Sequence, residues 1–338
     1  MKNVKVSVIC YTYNHVKYIQ DALDGFCAQE TNFPYVCIIV DDASSDGEQP
    51  IIRDYLTSNF DTDSHSSMLE ETNDYLLWVA PHKKNVNCYF AVYFLKYNHH
   101  QIHKRKRPYF EKWLKSSEYH AFCEGDDYWT DKKKLQKQVN FMDSHPSYGL
   151  CHTMFQSEPI RRLNVQVSQN ERDDYLKDLI QGRYRIGTLT VLYRRAIYDL
   201  LPGLWKDQDF LMQDYPQWIE FAATAKIKYL PDCTAIYRIL PNSASHSRDV
   251  NKEINFILSS YNCACFYNKI YKITDTIDKK RIYNAILKSA MLHRATDIAD
   301  KYIKESISSK SLSVKGLVFF FATHSNIIFT IINKIYCF

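Results

Sequence analysis

Two acidic corners stand where hydrophobic runs stop. Val36-Cys37-Ile38-Ile39-Val40 leads into Asp41-Asp42-Ala43-Ser44-Ser45-Asp46-Gly47. Tyr119-His120-Ala121-Phe122-Cys123 leads into Glu124-Gly125-Asp126-Asp127-Tyr128-Trp129. A short apolar run bounded by turn formers reads as a buried strand. Carboxylates at the carboxyl ends of such strands sit where open α/β sheets bind ligands. Two oxygen-rich corners can hold a nucleotide and a divalent cation together. That demand points to chemistry on a nucleotide-activated substrate.

The elements that must position these corners follow from periodicity. Residues 4–10 read as a first strand, and 18–29 as a helix with Ile19, Ala22, Leu23 and Phe26 on one face. Residues 35–40 form the next strand, and 51–56 open a second helix. This β-α-β-α order implies a parallel sheet with helices packed on it. Residues 59–73 read as a polar loop, 75–79 as a strand, and 88–97 as a helical, aromatic stretch. Strands are expected at 119–123, 149–155, 187–193 and 227–230, and helices at 132–142 and 218–225. From Val250 onward the pattern is helical, over 251–273 and 278–308. The apolar stretch 316–338 is interrupted by His324, Ser325, Asn326, Asn333 and Lys334, too polar for a membrane span. It is expected either to dock on the main domain or to lie in a membrane interface.

Composition narrows the class. The 338 residues suffice for one large domain with an appendage, and 46% hydrophobic with 24% charged content is ordinary for a globular chain. A net charge of +5 suits anionic ligands or a membrane surface without arguing for nucleic acid. The ten cysteines include no C-x-x-C pair and several sit in apolar strands, so reduced core thiols are expected. Residues 1–5 enter a strand directly with no signal-peptide pattern, which sets the expectation of a cytoplasmic protein.

The ordered motifs resemble family 2 glycosyltransferases with the GT-A fold, of the type that builds bacterial surface polysaccharide. The matching segments are Val6-Ser7-Val8-Ile9-Cys10-Tyr11-Thr12-Tyr13-Asn14-His15, the two acidic corners, Gln213-Asp214-Tyr215-Pro216-Gln217-Trp218, and the run from Ala235 to His246 that contains Tyr237-Arg238. Together they span about residues 4–248. The resemblance implies an α/β chain: a mixed sheet flanked by helices over residues 1–250, with a helical extension over 251–338. It implies an inverting, metal-dependent transfer from a nucleotide-sugar donor, expected to be a UDP-sugar, to a saccharide or lipid-linked acceptor.

Roles for single residues follow from the resemblance and from chemistry together. Asp42 would accept a base N–H, and Tyr13 would stack on the base. Tyr11, Asn14, Glu124 and Arg238 would complete the donor pocket. Asp126 is the expected ligand of Mn²⁺ or Mg²⁺, supported by Asp127 and His246, since hard cations take carboxylate and phosphate oxygens. The usual D-x-D appears as Glu124-Gly125-Asp126. Asp214 is the expected general base, placed at a helix start where partial positive charge keeps it ionised. Leu240 stands where relatives often carry a His.

Residues 81–118 depart from the family's shorter version and are expected to shape the acceptor site. The run His103-Lys104-Arg105-Lys106-Arg107 reads as a solvated loop or as a contact to anionic lipid or a lipid-diphosphate acceptor, with no recognition motif for nucleic acid. Two other classes compete: a non-catalytic sugar-nucleotide-binding scaffold of a synthase complex, and a nucleotidyltransferase. The latter would carry a Gly-rich basic phosphate loop after its first strand, and Tyr11-Thr12-Tyr13-Asn14-His15 is neither Gly-rich nor basic in that way.

Overall fold

Every residue of Tyr35–Asp41 is buried, and Val6–Thr12 is buried but for Tyr11. Continuous apolar runs of this kind suit central strands of a parallel sheet covered on both faces. The computed structural model describes residues 4–159, 174–240, 247–273 and 276–336. Among them, ten strands form one sheet. They are β1 (Val6–Thr12), β2 (Tyr35–Asp41), β3 (Met68–Glu71), β4 (Tyr75–Pro81), β5 (Cys88–Leu95), β6 (Tyr119–Phe122), β7 (Tyr128–Trp129), β8 (Tyr148–Glu158), β9 (Leu192–Arg194) and β10 (Lys226–Arg238). Their order across the sheet is β3-β4-β5-β2-β1-β6-β9-β8-β10-β7. The centre, β5-β2-β1-β6, is parallel, so its carboxyl ends share one edge.

Helices α1 (Ile19–Cys27), α2 (Glu48–Asn59), α3 (Arg107–Ser116) and α4 (Lys134–Ser144) cover this centre. Ile19, Ala22, Leu23 and Phe26 of α1 face the sheet with Ile52 and Leu56 of α2 and Leu135, Val139 and Met142 of α4. Phe110, Trp113 and Leu114 of α3 cover the opposite face. The second half holds α5 (Tyr175–Ile180), α6 (Arg195–Tyr198) and α7 (Asp214–Thr224). The extension follows as α8 (Val250–Tyr271), α9 (Lys280–His293), α10 (Thr296–Ser308), α11 (Val314–His324) and α12 (Asn326–Tyr336). Cys263 and Tyr267 of α8 share a core with Trp218 and Phe221 of α7, while Ile254 of the same helix joins the core of α9, α10 and α11.

Several expectations give way. Residues 88–97 are not helical: Cys88–Leu95 is β5, buried at every position between β4 and β2. A strand buried on both faces loses its alternation, so the run Cys-Tyr-Phe-Ala-Val-Tyr-Phe-Leu carries no period that tells strand from helix. The polar stretch 59–73 contains the edge strand β3, paired only with β4. Residues 187–193 open as a 3₁₀ turn at Thr188–Thr190 before the short β9. The helix expected over 278–308 breaks at Arg294, whose φ of 56° ends α9. Residues 316–336 form two helices that meet at Ser325, and α11 packs on α9 within the extension rather than on the sheet. The nine described cysteines are free thiols, most of them buried.

Candidate active site

The carboxyl edge of the parallel strands gathers three loops. Thr12 at the end of β1 lies opposite Asp41 at the end of β2, and Ile9 lies opposite Phe122 at the end of β6. The first acidic corner therefore lies against the loop after β1. Asn14 donates its backbone N–H to Ser44 Oγ (2.9 Å), and its Oδ1 accepts from the Ser45 amide (2.9 Å). Glu48, fully buried at the start of α2, ties both loops: it accepts from the Thr12 hydroxyl, from the His15 amide (2.8 Å) and from Ser44 Oγ (2.8 Å). Sequence reasoning missed Glu48, although Ser45-Asp46-Gly47-Glu48 has the S-x-x-E spacing of a helix start.

Asp42 is buried and holds three donors. Its Oδ1 accepts from the His99 amide (2.8 Å), and its Oδ2 from the His100 amide (3.1 Å) and the Lys106 ammonium (2.8 Å). Burial alone would raise its pKa, but Lys106 and the two amides outweigh it and hold the carboxyl below its ordinary value. Within the stretch 81–118 expected to shape the acceptor site, His99, His100 and Lys106 thus fold onto the first acidic corner. The basic run is not an open patch either. Lys104 binds Asp74 (2.8 Å), Lys106 binds Asp42, and Arg107 donates to the Tyr198 hydroxyl (2.8 Å). Lys106 also stands 5.3 Å from the Tyr11 ring centroid, and Tyr13 is exposed beside it in the same loop after β1.

Gly125 sets the second acidic corner directly on Thr12. A Cβ there would fall 2.2 Å from Thr12 Oγ1, so no other residue permits the approach. The Asp126 Oδ2 then lies 3.9 Å from His15 Nε2, while its Oδ1 is buried without a hydrogen-bond partner among the described residues. A buried carboxylate oxygen with no donor is suited to a cation. Among the described residues no three His, Cys, Asp or Glu side chains form a complete metal cage. Asp127 points elsewhere: its Oδ1 accepts the Arg238 amide (2.8 Å), and burial followed by the Asp126 charge raises its pKa well above the ordinary value. Only its other oxygen is left for the cation role expected of it.

Glu124 reaches solvent, yet the surrounding cleft and then the Asp126 and Asp214 charges push its pKa up to about 7, with Lys106 opposing. Asp214 therefore lies within electrostatic reach of the acidic corner. It occupies the first turn of α7, where the helix dipole favours negative charge. Its Oδ2 accepts from Thr188 Oγ1 (2.7 Å) and its Oδ1 from the Tyr215 amide (2.8 Å). Thr188 was invisible in the sequence, because a Thr inside an expected strand carries no functional signal.

Arg238 ends β10 as a latch. Its guanidinium donates to the Asp126 carbonyl (3.0 Å), pairs with Asp21 and with Glu158 (3.3 Å), and lies 4.3 Å from the Tyr128 ring centroid. It binds protein groups on every side instead of opening toward a diphosphate. His246 and residues 241–245 lie outside the described residues.

The arrangement can hold a nucleotide against β1 and β2, a cation at Asp126, and a proton acceptor at Asp214 across the cleft. The glycosyl transferase family 2 model matches residues 7–71, the segment from β1 through β3 that carries the first acidic corner. Rv1520, an uncharacterized protein of Mycobacterium tuberculosis, is 31% identical over 250 residues, covering 72% of this chain and 61% of that one. The chain thus spans about three fifths of the length of that curated relative. TuaG of Bacillus subtilis, named as a teichuronic acid biosynthesis glycosyltransferase, is 27% identical over 72% of this chain and 82% of its own. The mannosyltransferase PcManGT of Pyrobaculum calidifontis, solved with GDP-Man and Mn²⁺, has the same fold: the TM-score is 0.52 at 13% identity, over 98% of this chain and 87% of that one.

Proposed function

We propose that this chain, whose residues 7–71 match the glycosyl transferase family 2 model, is a family 2 glycosyltransferase and moves a sugar from a nucleotide-sugar donor to a hydroxyl of a saccharide or lipid-linked acceptor. The transfer inverts the anomeric centre and serves surface-polysaccharide assembly. Residues 1–250 form the catalytic unit and 251–338 a helical extension. The observation that carries this reading is the Asp126 carboxylate, whose buried Oδ1 has no donor among the described residues, beside Glu124, on which the Asp126 and Asp214 charges both act.

The base of the donor, a UDP-sugar in the simplest case, stacks on Tyr13 beside Tyr11 and Asn14, with Asp42 and Lys106 at its edge. Thr188 and the Tyr215 amide fix the Asp214 carboxylate, which takes the acceptor proton as the hydroxyl oxygen attacks C1 opposite the diphosphate. Mn²⁺ or Mg²⁺ at Asp126 would neutralise the diphosphate as the sugar–phosphate bond breaks.

The test is a screen of purified protein against UDP-, GDP-, dTDP- and CMP-sugars with Mn²⁺, Mg²⁺ or EDTA, read by melting temperature and by donor turnover. One nucleotide class should raise the melting temperature in a metal-dependent way. Asp214→Asn should keep that shift while turnover falls by about 10² to 10⁴. Full turnover in Asp214→Asn overturns the base assignment. Donor binding with no turnover in the native protein would make the chain a sugar-nucleotide-binding scaffold.

The reading places the enzyme at the cytoplasmic face of a membrane. Among the described residues no helix is long and apolar enough to cross one. Peripheral contact is supported by Phe321, Ile327 and Ile331, exposed on α11 and α12, in a stretch with no Asp or Glu after Glu305.

A further inference from the structure

His15, in the loop after β1, stands between groups of the two acidic corners. Its amide donates to Glu48 Oε2 (2.8 Å), its Nδ1 lies 3.2 Å from Thr12 Oγ1, and its Nε2 lies 3.9 Å from Asp126 Oδ2. The backbone fixes both ends of that last spacing. The His15 carbonyl accepts from the Tyr18 amide (2.8 Å) and the Ile19 amide (2.9 Å). On the other side, the Gly125 amide donates to the Tyr11 carbonyl (3.0 Å), and the Gly125 backbone rests on Thr12.

The hydrogen bonds decide which ring nitrogen is free. Glu48 Oε2 accepts from the His15 amide and from Ser44 Oγ, and its Oε1 accepts from the Thr12 hydroxyl. Each of these donors opposes the burial that raises the Glu48 pKa. A carboxylate only accepts, so Thr12 gives its one proton to Glu48 and accepts at Oγ1 from His15 Nδ1–H. A neutral His15 then carries its lone pair on Nε2, the nitrogen on the Asp126 side. Among the described residues that nitrogen makes no hydrogen bond, and the buried Asp126 Oδ1 has no partner either. The two side chains are only 21% and 15% exposed. An imidazole whose far nitrogen is fixed through a carboxylate is the arrangement of metal-ligating histidines. Ligand atoms on one octahedral cation, bonded at about 2.0–2.1 Å, stand roughly 3 to 4 Å apart.

We propose that His15 Nε2 is a second protein ligand of the cation at Asp126, and that this imidazole makes the site prefer first-row transition ions to Mg²⁺. Mg²⁺ keeps oxygen ligands, whereas imidazole nitrogen suits transition ions. The use of that cation in sugar transfer rests on the transferase reading; the pairing of His15 with Asp126 does not. A cation held there also ties the loop after β1 to the loop after β6.

The experiment is pulsed EPR of Mn²⁺ bound to the full chain, alone and with UDP. The native chain should show coupling to one imidazole nitrogen, with a changed pattern after growth on ¹⁵N-histidine. The coupling should vanish in His15→Gln and persist in His246→Gln. His15→Asn gives a second reading should His15→Gln lower the melting temperature. Bound Mn²⁺ without imidazole coupling, coupling that survives loss of His15, or no Mn²⁺ binding in either condition overturns the proposal. By calorimetry, loss of His15 should weaken Mn²⁺ binding at least tenfold and Mg²⁺ binding less. An equal loss for both ions overturns the preference. Mn²⁺ held by His15 with no effect of UDP and no donor turnover supports the site and counts against the transferase reading alone.

Discussion

Asp42 shows how one residue links charge to the shape of the proposed donor pocket. Its carboxylate anchors residues 97–107 through His99, His100 and Lys106. Because its folded pKa is depressed, the tie is fully present above the unfolded value of about 3.9 and is lost as pH falls through the lower folded value. Lys106→Met removes the ammonium and leaves burial to dominate, so the carboxyl pKa should rise. Protection factors of the His99 and His100 amides, followed by hydrogen exchange against pH, should hold in the native chain down to about pH 4. In Lys106→Met they should collapse at a higher pH. Identical profiles would mean that the two amides alone hold the segment. Asp126 offers the contrast, with an unpartnered buried oxygen where Asp42 has three donors.

At the scale of elements, α7 carries two acids with different duties. Asp214 opens the helix toward the cleft, while Glu220 lies two turns later and is fully buried. Glu220 accepts from the Gly203 amide (2.7 Å), the Leu204 amide (2.8 Å) and the Tyr267 hydroxyl of α8 (2.7 Å). This clasp joins the catalytic half to the first helix of the extension. Glu220→Ala strands three donors and should cost about 3–5 kcal/mol of stability, whereas Tyr267→Phe removes one bond and should cost about 1 kcal/mol. Urea denaturation of both variants measures the difference. Equal losses would show that the α8 contact alone matters and that the loop amides find water instead.

For the whole molecule, the sheet carries the acidic corners just after β2 and β6, the proposed donor site, and α7 opens on Asp214, the proposed base. Helix α11 buries one side on α9 and α12 packs on α11, leaving Ile327 76% and Ile331 55% exposed. Burying an Ile side chain is worth about 1.5–3 kcal/mol. Ile327→Ser with Ile331→Ser should therefore lower partitioning onto vesicles containing phosphatidylglycerol by at least about tenfold. Co-sedimentation reads this directly, and partitioning that ignores both changes would remove the apolar face as the membrane contact.

The order of acidic corners, the β-α-β start and the helical C-terminal run were legible in the sequence, because strand ends and helix faces are written in local hydrophobic patterns. Asp42, Glu124 and Asp126 could be singled out because each stands at a visible boundary between apolar and polar residues, and Asp214 through the family resemblance of its segment. The tertiary structure decided what those boundaries could not. It made residues 88–95 a strand, since burial on both faces erases the period that distinguishes strand from helix. It turned Lys106 from one charge in a basic run into the partner of Asp42, and Arg238 into a latch. It brought Thr188 to Asp214 and His99 to Asp42. Those pairs join residues far apart in the chain, and only the folded backbone sets the distance between them.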